Sequence, residues 1–408
     1  MWGKFRLSVP RKLFLTYVLL VTPNFVVFYL FRGYLLVELL SLSQTSNMWI
    51  FLGEISYTLA VMVFALLEVF LIKIINKKKL LIIYVFFSIF VNSLFFIFSK
   101  GPIVLLICAL SGGAYGLGFP LIHSLIIDNT PIEERCRLLG FIVFISIIVF
   151  LVSFIVSTLF LFTLNQFFVL IIILQLSGLL SLNYMDLLNF YKPTKSHHFF
   201  ETVSSKKFLL YFIPWLMFSF SNSAAILVVS ATTHSEIILA FTQIVKFLTS
   251  SIFLIISGIL ADKYGRKLPL LIGFVMLGLT FALYPFLQNP IIYIFATMIS
   301  GIAWSSILVS YLFVILGDLS PEGSRDKYYS LGVITSMFFE FFAIFIIGYY
   351  EYYIPTGIGS SILSVSLFLS VIPLLYAPET LPQEKMENRK INDYLNRVMK
   401  ILESTNDD

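Results

Sequence analysis

Runs of apolar residues recur along the whole chain, and short polar segments separate them. Each run holds about 20 residues, the length that a helix needs to cross a hydrocarbon core of about 30 Å. The predicted spans are residues 13–31, 48–71, 80–99, 102–127, 138–160, 165–185, 208–231, 236–260, 268–287, 290–316, 328–349 and 357–376. The pattern therefore predicts an all-α integral membrane protein with twelve transmembrane helices.

Composition excludes a soluble globular protein. Of the 408 residues, 59% are hydrophobic and 12% are charged. Soluble domains carry about 25% charged residues, so this chain has too few charges to cover the surface of a soluble core. Lipid must therefore surround most of the side chains.

Lysines and arginines are distributed unevenly between the two sides of the predicted membrane domain. If the N-terminus is cytosolic, the outer loops contain only Arg32 and Lys100 of the 27 basic residues, and Lys246 lies inside a span. This partition follows the positive-inside rule and predicts a multi-pass protein of the cell membrane with both termini in the cytoplasm. The net charge of +5 then indicates contact with anionic membrane lipid, and no nucleic-acid partner is expected.

Residues that hold metals or perform catalysis are sparse in the sequence. Cys108 and Cys136 are too few for a disulfide framework or a thiolate metal site, and His197 and His198 lack the spacing of metal ligands. The sequence contains no P-loop, nucleophile elbow or dinucleotide motif. We therefore expect no metal, no cofactor and no enzyme activity, and the missing P-loop argues against an ATP-driven pump.

A polar segment divides the spans six and six. The predicted organisation is an N-terminal six-helix bundle at residues 1–185, a cytosolic linker at 186–207 and a C-terminal six-helix bundle at 208–382. Residues 383–408 are predicted to form a cytosolic amphipathic tail, with apolar side chains along one side of a helix.

The two halves repeat each other. The small-residue segment 111–116 of span 4 recurs at 300–305 in span 10, and an Asp-x-x-Pro sequence with a following arginine at 128–135 recurs at 318–325. These matches occur in the same order and indicate an internal duplication. Two parallel six-helix halves are typical of a carrier that binds its substrate between them, near the middle of the membrane.

The loop between spans 8 and 9 carries the most specific motif. Gly258, Asp262, Gly265, Arg266 and Lys267 form the sequence G-x-x-x-D-x-x-G-R-K. This motif resembles that of the major facilitator superfamily, and the resemblance covers residues 10–382. It implies two six-helix bundles related by a pseudo-two-fold repeat and transport by alternating access. The Asp-Pro-Arg loops and residues 378–380 are similar to the sugar-porter and organic-ion branches of that superfamily.

The sequence departs from the superfamily pattern in its first half. Lys73 and Asn76 stand in the loop between spans 2 and 3 where the motif has its acid and its second glycine. The Pro-Glu-Ser-Pro-Arg block and the paired glutamines of sugar porters are absent from the sequence after span 6 and in span 7. These differences argue against a sugar as the substrate.

The charged loops are predicted to form a gating latch. Asp262 at a helix end can accept N–H bonds from the start of a neighbouring helix, Gly265 permits a sharp turn, and Arg266 can bind a carboxylate with two hydrogen bonds. The resemblance implies that this carboxylate is Asp318. The remaining predicted latch residues are Arg325, Asp128 and Arg135. The alternative interpretation is that these charges only direct membrane topology.

Charged residues within the spans are candidates for binding the substrate or a coupling ion. Each costs about 2.5–3.5 kcal/mol at a helix centre. Lys246 and Glu340 are predicted at similar depth in spans 8 and 11, and Gln243 continues a polar stripe with Lys246. Because the resemblance places spans 2 and 11 opposite each other, Glu54 and Glu340 are expected to share a polar chamber that could serve proton coupling. A static buried pair of Lys246 and Glu340 and an outward-pointing Glu54 are the alternatives.

Aromatic and amide side chains supply further candidates. Tyr115 and Trp304 follow the repeated small-residue segments, which let helices approach closely. One ring from each half is therefore expected beside a central cavity, where rings can stack on a bound solute or a cation. Packing or lipid contact is the alternative for both rings. Asn24 in span 1 and Asn222 in span 7 are candidates for hydrogen bonds to the substrate.

These features together predict a secondary active or facilitative transporter of a small organic solute, with protons as a possible coupling ion. The alternative is a membrane receptor or sensor that keeps the transporter fold without transport. The altered loop between spans 2 and 3 is the feature that favours this alternative.

Overall fold

The structure is a computed structural model. It describes residues 7–30, 47–97, 103–159, 164–184, 199–229, 236–350 and 355–382, together with Leu188, Phe190 and five positions of the C-terminal segment. Arg32, Lys100, His197 and His198 lie outside the described residues, as do much of the predicted linker and most of the predicted tail helix. The domain boundaries therefore stay predictions.

Twelve long helices make up the bundle in the described part of the chain. They are α1 (Arg11–Leu30), α2 (Asn47–Ile74), α3 (Lys77–Ile97), α4 (Ile103–Asp128), α5 (Arg135–Leu159), α6 (Leu164–Leu182), α7 (Lys206–Val229), α8 (Glu236–Tyr264), α9 (Lys267–Ala282), α10 (Pro290–Asp318), α11 (Arg325–Tyr350) and α12 (Thr356–Tyr376). A five-residue helix, Phe199–Val203, precedes α7, and α10 contains a π-helical stretch, Leu308–Ile315.

Each of these helices overlaps one predicted span. By length and composition, nine helices of the described chain can cross a membrane, while α9 and the apolar part of α6, Val169–Ser181, are shorter. Helix α3 begins with three lysines, of which Lys78 and Lys79 suit the membrane–water boundary. The predicted all-α membrane fold with twelve helices is confirmed.

The two six-helix halves have the same packing arrangement. In the first half, α1 packs on α5 and α6, α2 packs on α4, and α3 packs on α4 and α6. In the second half, α7 packs on α11 and α12, α8 packs on α10, and α9 packs on α10 and α12. Equivalent helices thus have equivalent neighbours, which is the pseudo-two-fold relation that the sequence repeat predicts. The halves meet mainly where α2 packs on α11 and α5 packs on α8.

Glycines allow the closest approach between the halves. A Cβ atom added to Gly258 of α8 would lie 2.6 Å from the backbone oxygen of Cys136 in α5, and one added to Gly140 of α5 would lie 2.6 Å from that of Leu254 in α8. Both distances are too short for any side chain. Helices α5 and α8 are therefore in backbone contact, as small residues permit within membranes.

Loops that carry the predicted latch meet at one end of the bundle. We call this the charged end, and it comprises Lys77, Asp128, Arg135, Asp262, Arg266, Asp318, Arg325, Asp326 and Glu379. The charged side chains thus cluster at one end of an otherwise apolar bundle, as expected for the end of a membrane protein that lies near the membrane surface.

Candidate functional site: a central cavity and the charged end

A cavity of about 260 Å³ lies between the two halves. Helices of both halves line it, so a solute bound there would contact both bundles. Its lining residues are Phe25, Phe28, Tyr29, Tyr115, Val143, Ile147, Trp215, Phe218, Ser219, Asn222, Ser223, Lys246, Phe247, Ser250, Leu254, Trp304, Ser305, Leu308, Leu312, Ser336, Met337 and Glu340. An apolar wall with a few convergent polar groups is the usual composition of a small-molecule site.

Five of the predicted binding residues line this cavity. They are Tyr115, Asn222, Lys246, Trp304 and Glu340. The ammonium group of Lys246 lies over the ring of Trp304, 5.7 Å from its centroid, within the range of a cation–π interaction. Glu340 contributes a carboxylate to the same cavity from α11.

Aromatic rings form most of the cavity wall. Tyr115 stacks on Phe28 with 4.4 Å between centroids and 24° between planes, and Trp304 meets Phe218 edge-on at 5.1 Å. These pairs hold the rings in fixed orientations, since each ring packs against a neighbour from another helix. The two repeated small-residue segments thus present one ring from each half, Tyr115 and Trp304.

Three predicted binding residues lie elsewhere. Gln243 is exposed on α8, because the helix turns its side chain away from the cavity that Lys246 lines. Glu54 is half-buried on α2 and is not among the residues that line this cavity, and the expected chamber shared by Glu54 and Glu340 stays a prediction. Asn24 lines a smaller cavity of about 60 Å³, which shares Tyr115 and Phe28 with the central one.

The polar stripe of α8 is divided among different surroundings. Ser250 lines the cavity and donates a hydrogen bond to the backbone oxygen of Gly301, at 3.1 Å. Thr249 donates to backbone oxygens of its own helix. Both side chains lie against Gly301 of α10, so α10 covers this part of α8, while Gln243 stays exposed.

At the charged end, two arginine–aspartate pairs connect the halves reciprocally. Arg135 Nη1 of the first half lies 2.5 Å from Asp318 Oδ1 of the second, and Arg325 Nη1 of the second half lies 2.5 Å from Asp128 Oδ1 of the first. All four side chains are at least nine-tenths buried. Each arginine therefore neutralises the acid of the other half, and separating the halves at this end would break both pairs.

The loop between α8 and α9 is anchored by ionic contacts at the charged end. Arg266 is fully buried and forms an ion pair with Asp318. Asp262 accepts hydrogen bonds from the backbone N–H groups of Cys136, at 3.2 Å, and Arg137, at 2.8 Å. These N–H groups start helix α5 of the other half, so the carboxylate opposes the positive end of that helix.

The turn itself depends on Gly265. Its φ is +101°, a region that residues with a Cβ atom rarely adopt. An added Cβ atom would also collide with the carboxylate of Glu379. Glu379 accepts hydrogen bonds from the backbone N–H groups of Arg266, at 3.0 Å, and Lys267, at 3.2 Å, and so caps the start of α9.

Lys77 has a role that the sequence analysis did not identify. Its ammonium group lies 3.5 Å from Asp128 Oδ2 and 3.3 Å from Asp326 Oδ1. Lys77 stands 189 residues before Arg266, and its contact with Asp128 is the counterpart of the pair between Arg266 and Asp318. The internal repeat contains the signal for this correspondence, although Lys73 and Asn76 depart from the motif.

Lys73 and Glu68 show how the first half differs. Lys73 is exposed and lies over the ring of Phe70, 5.5 Å from its centroid, so it cannot cap a helix as Asp262 does. Glu68 is fully buried in α2 and accepts a hydrogen bond from the hydroxyl of Ser330 in α11, at 3.3 Å. The first half therefore lacks the helix-capping acid that Asp262 supplies in the second half, but it keeps a buried cation, Lys77, in the place of Arg266.

Comparisons with known proteins agree with this architecture. The sequence model of the family described as sugar (and other) transporter matches residues 182–389. No curated protein sequence matches the chain.

Several solved structures share the fold. The proton:xylose symporter XylE, solved with bound 6-bromo-6-deoxy-D-glucose, is 14% identical over 92% of this chain and 97% of its own, with a TM-score of 0.66. A bacterial homologue of the iron transporter ferroportin in an outward-facing state is 14% identical over 90% of this chain and 98% of its own, with a TM-score of 0.69. The human organic anion transporter MFSD10 (TETRAN) is 12% identical over 90% of this chain and 100% of its own, with a TM-score of 0.61.

The family match covers half of the chain, including the loop between α8 and α9 and all of the C-terminal bundle. The structural similarities extend the same fold over both bundles. The chain belongs to the sugar (and other) transporter family of the major facilitator superfamily, and it is a multi-pass membrane protein with the family and fold of a carrier for small solutes.

Proposed function

We propose that this protein is a secondary carrier that moves a small organic solute across the cell membrane by alternating access. The observation that carries the proposal is the position of the cavity between two halves that are joined by reciprocal ion pairs at one end. A solute bound to both halves is released when they rotate apart, and such a rotation needs pairs that can break and re-form. In this structure the charged end is closed.

We assign the predicted latch residues to this closure. Arg135, Asp318, Arg325 and Asp128 hold the halves together at the charged end, while Asp262 fixes the start of α5 against α8. These contacts stabilise only the conformation in which the charged end is closed, because they do not exist when this end is open. Loss of one such pair should therefore change the balance of conformations more than it changes solute binding.

We propose that transport is coupled to a proton that binds to Glu340. Its carboxylate lines the central cavity, where a charge is costly and proton binding can be linked to the presence of solute. The described fold is also that of XylE, a proton:xylose symporter. A facilitative carrier without coupling would show uptake that is independent of an imposed proton gradient, which separates the two modes.

The charged end faces the cytoplasm in our proposal, with both termini on that side. The basis is the distribution of lysine and arginine. A cysteine introduced at Lys78 should react with a membrane-impermeant reagent only in opened cells, and one at Gln288 should react in intact cells. Reaction of the Lys78 position from outside would reverse the assignment.

Alternating access can be tested without knowing the solute. Ser336 lines the cavity, so a Ser336→Cys variant without the two native cysteines should react with an impermeant thiol reagent in both right-side-out and inside-out vesicles. Ser88, which is buried away from the central cavity within the first half, gives the matched control. Ser88→Cys should stay unlabelled in both preparations.

The alternative of a receptor or sensor that keeps the fold without transport predicts a different outcome. Such a protein would expose the Ser336 position to one side only. The retained cation Lys77 weakens this alternative, because the first-half loop keeps an ionic contact with Asp128 despite its altered motif. Labelling from a single side under all conditions would contradict the carrier proposal.

A further inference from the structure

Glu68 is a fully buried acid at the contact between the two halves. It lies on α2, which packs against α11 of the other half. Its Oε2 accepts a hydrogen bond of 3.3 Å from the hydroxyl of Ser330 in α11. The carboxyl group of Glu68 is therefore enclosed only as long as these two helices stay together.

The buried charges around Glu68 do not balance an ionised carboxylate. Asp326 of α11 and Lys77 of α3 are the described charged groups that act on it. The Lys77 ammonium is shared by two other acids, at 3.3 Å from Asp326 Oδ1 and 3.5 Å from Oδ2 of Asp128, the acid that α4 contributes. Arg325 pairs with the same Asp128. In the described part of this cluster three acids thus face two cations, and an ionised Glu68 is a negative charge in excess.

The hydrogen bonds of Glu68 also favour a neutral carboxyl group. Both oxygens of an ionised carboxylate accept hydrogen bonds, and such bonds are shorter than those between neutral groups. Among the described residues, Oε1 of Glu68 accepts no hydrogen bond, and the bond to Oε2 is long. A buried carboxylate with so few donors is costly, because burial removes its hydration. Uptake of one proton removes the charge and most of this cost.

We propose that Glu68 is a proton-binding site that is occupied while the charged end is closed and emptied when this end opens. Opening draws α2 away from α11, so water reaches the carboxyl group and its ionised form is no longer costly. This proton is linked to closure of the charged end, whereas the proton proposed for Glu340 is linked to the solute in the cavity. The conformational part of this inference rests on the proposed alternating access.

A proton bound in this way makes the conformation of the carrier depend on pH. Acid favours the conformation that holds the proton, which is the closed one, and base favours the open one. With one proton linked to the change, the ratio of open to closed protein rises by up to about tenfold per pH unit. Because the charged end faces the cytoplasm in our proposal, acidification of the cytoplasm should hold this end closed.

Infrared spectroscopy of the purified full chain tests the proton itself. A protonated carboxyl group has a C=O stretching band that is distinct from the bands of a carboxylate and of an amide. Near neutral pH, Glu68→Gln should lose the intensity of one such group relative to the parent protein. Glu322→Gln is the matched control and should keep the full intensity, because the side chain of Glu322 is 75% exposed and therefore ionised. Glu68→Gln should also melt at the temperature of the parent protein, since glutamine replaces a neutral group of the same shape.

The distance between two spin labels tests the link to conformation. Labels on Lys79 of α3 and Lys263 of α8, both exposed, report how far the halves are apart at the charged end. A change from mildly acidic to mildly alkaline buffer should increase the population with the longer distance in the parent protein. Glu68→Gln should give mainly the shorter distance in both buffers, because it imitates the protonated form. Glu322→Gln should respond to pH as the parent protein does.

Three outcomes would overturn the proposal. They are an undiminished infrared band in a folded Glu68→Gln variant, a parent distance distribution that does not change with pH, and a full pH response that persists in Glu68→Gln. The variant Arg325→Gln separates this inference from the carrier proposal. If it lengthens the distance and pH does not, the proton-linked closure fails and the carrier proposal stands. If neither lengthens the distance, alternating access fails as well, and the infrared band alone decides whether Glu68 holds a proton.

Discussion

Neutralising Arg325 should open the charged end of the bundle. Its guanidinium pairs with Asp128 of the other half at 2.5 Å and donates a second hydrogen bond to the backbone oxygen of Gly317, at 3.2 Å. Arg325→Gln removes the charge and leaves the carboxylate of Asp128 buried in the closed conformation. In the open conformation both groups meet water, so the substitution penalises the closed conformation selectively.

The magnitude follows from the burial of the pair. The side chains of Arg325 and Asp128 are 7% and 1% exposed, and removing one partner of a buried pair costs about 3–5 kcal/mol. Lys77 remains 3.5 Å from Asp128 Oδ2 and compensates in part, so the lower value of about 3 kcal/mol is appropriate. Since 1.4 kcal/mol is a factor of ten, the equilibrium should shift toward the open conformation by about a hundredfold.

Pulsed electron–electron double resonance, which measures the distance between two spin labels, can detect this shift directly. Labels on Lys79 of α3 and Lys263 of α8, both exposed, report the separation of the two halves at the charged end. The parent protein should give mainly the shorter distance, and Arg325→Gln should give mainly a longer one. Adding Asp128→Asn removes the stranded charge and should restore part of the shorter population.

Lys327→Gln is the matched control. It also removes one positive charge, it lies two residues from Arg325, and the side chain of Lys327 is only half-buried. It should leave the distance distribution as in the parent protein. If Arg325→Gln and Lys327→Gln give the same distribution, the ion pair does not hold the halves together, and the latch interpretation fails.

Three further substitutions test other contacts. Lys77→Met should lower the melting temperature by several degrees and Lys77→Arg should not, because the buried acids around Lys77 need a cation. If both variants melt at the same temperature in a thermal scan, Lys77 does not stabilise the charged end. Gly258→Leu should slow transport strongly and favour the longer spin-label distance, since its side chain would displace Cys136 of α5. The control Gly357→Leu should behave as the parent protein, because a side chain at Gly357 meets open space. Gly265→Ala should destabilise the folded protein by about 1–2 kcal/mol through its left-handed backbone, and an unchanged melting temperature would show that the turn can relax.

The sequence predicted the membrane helices well. Each span required a long apolar run, because a backbone in lipid must satisfy its own hydrogen bonds, and that requirement is local. The internal repeat likewise paired Tyr115 with Trp304 and Asp128 with Asp318. It also contained the correspondence between Lys77 and Arg266, which a register count of 189 residues would have found.

Helical spacing was less informative about which side chains reach the cavity. Gln243 and Lys246 are three residues apart on α8 and were expected to face the same surroundings, yet one is exposed and the other lines the cavity. The expectation that Glu54 and Glu340 share a chamber came from the family resemblance and stays a prediction. Packing against α5 and α10 decides the rotation of α8, and packing against α4 and α11 decides that of α2. A spacing of three or four residues does not specify either rotation.

The sequence by itself therefore determined the number of membrane helices, the two-fold repeat and the residue types that meet at the charged end. Only the tertiary structure decided that Arg135 pairs with Asp318 and Arg325 with Asp128 across the halves, and that Lys246 faces the ring of Trp304. The physical reason is that burial in lipid acts on each helix separately and leaves a pattern along the chain. Contacts between halves depend on how distant helices cross, and the local sequence does not record that geometry.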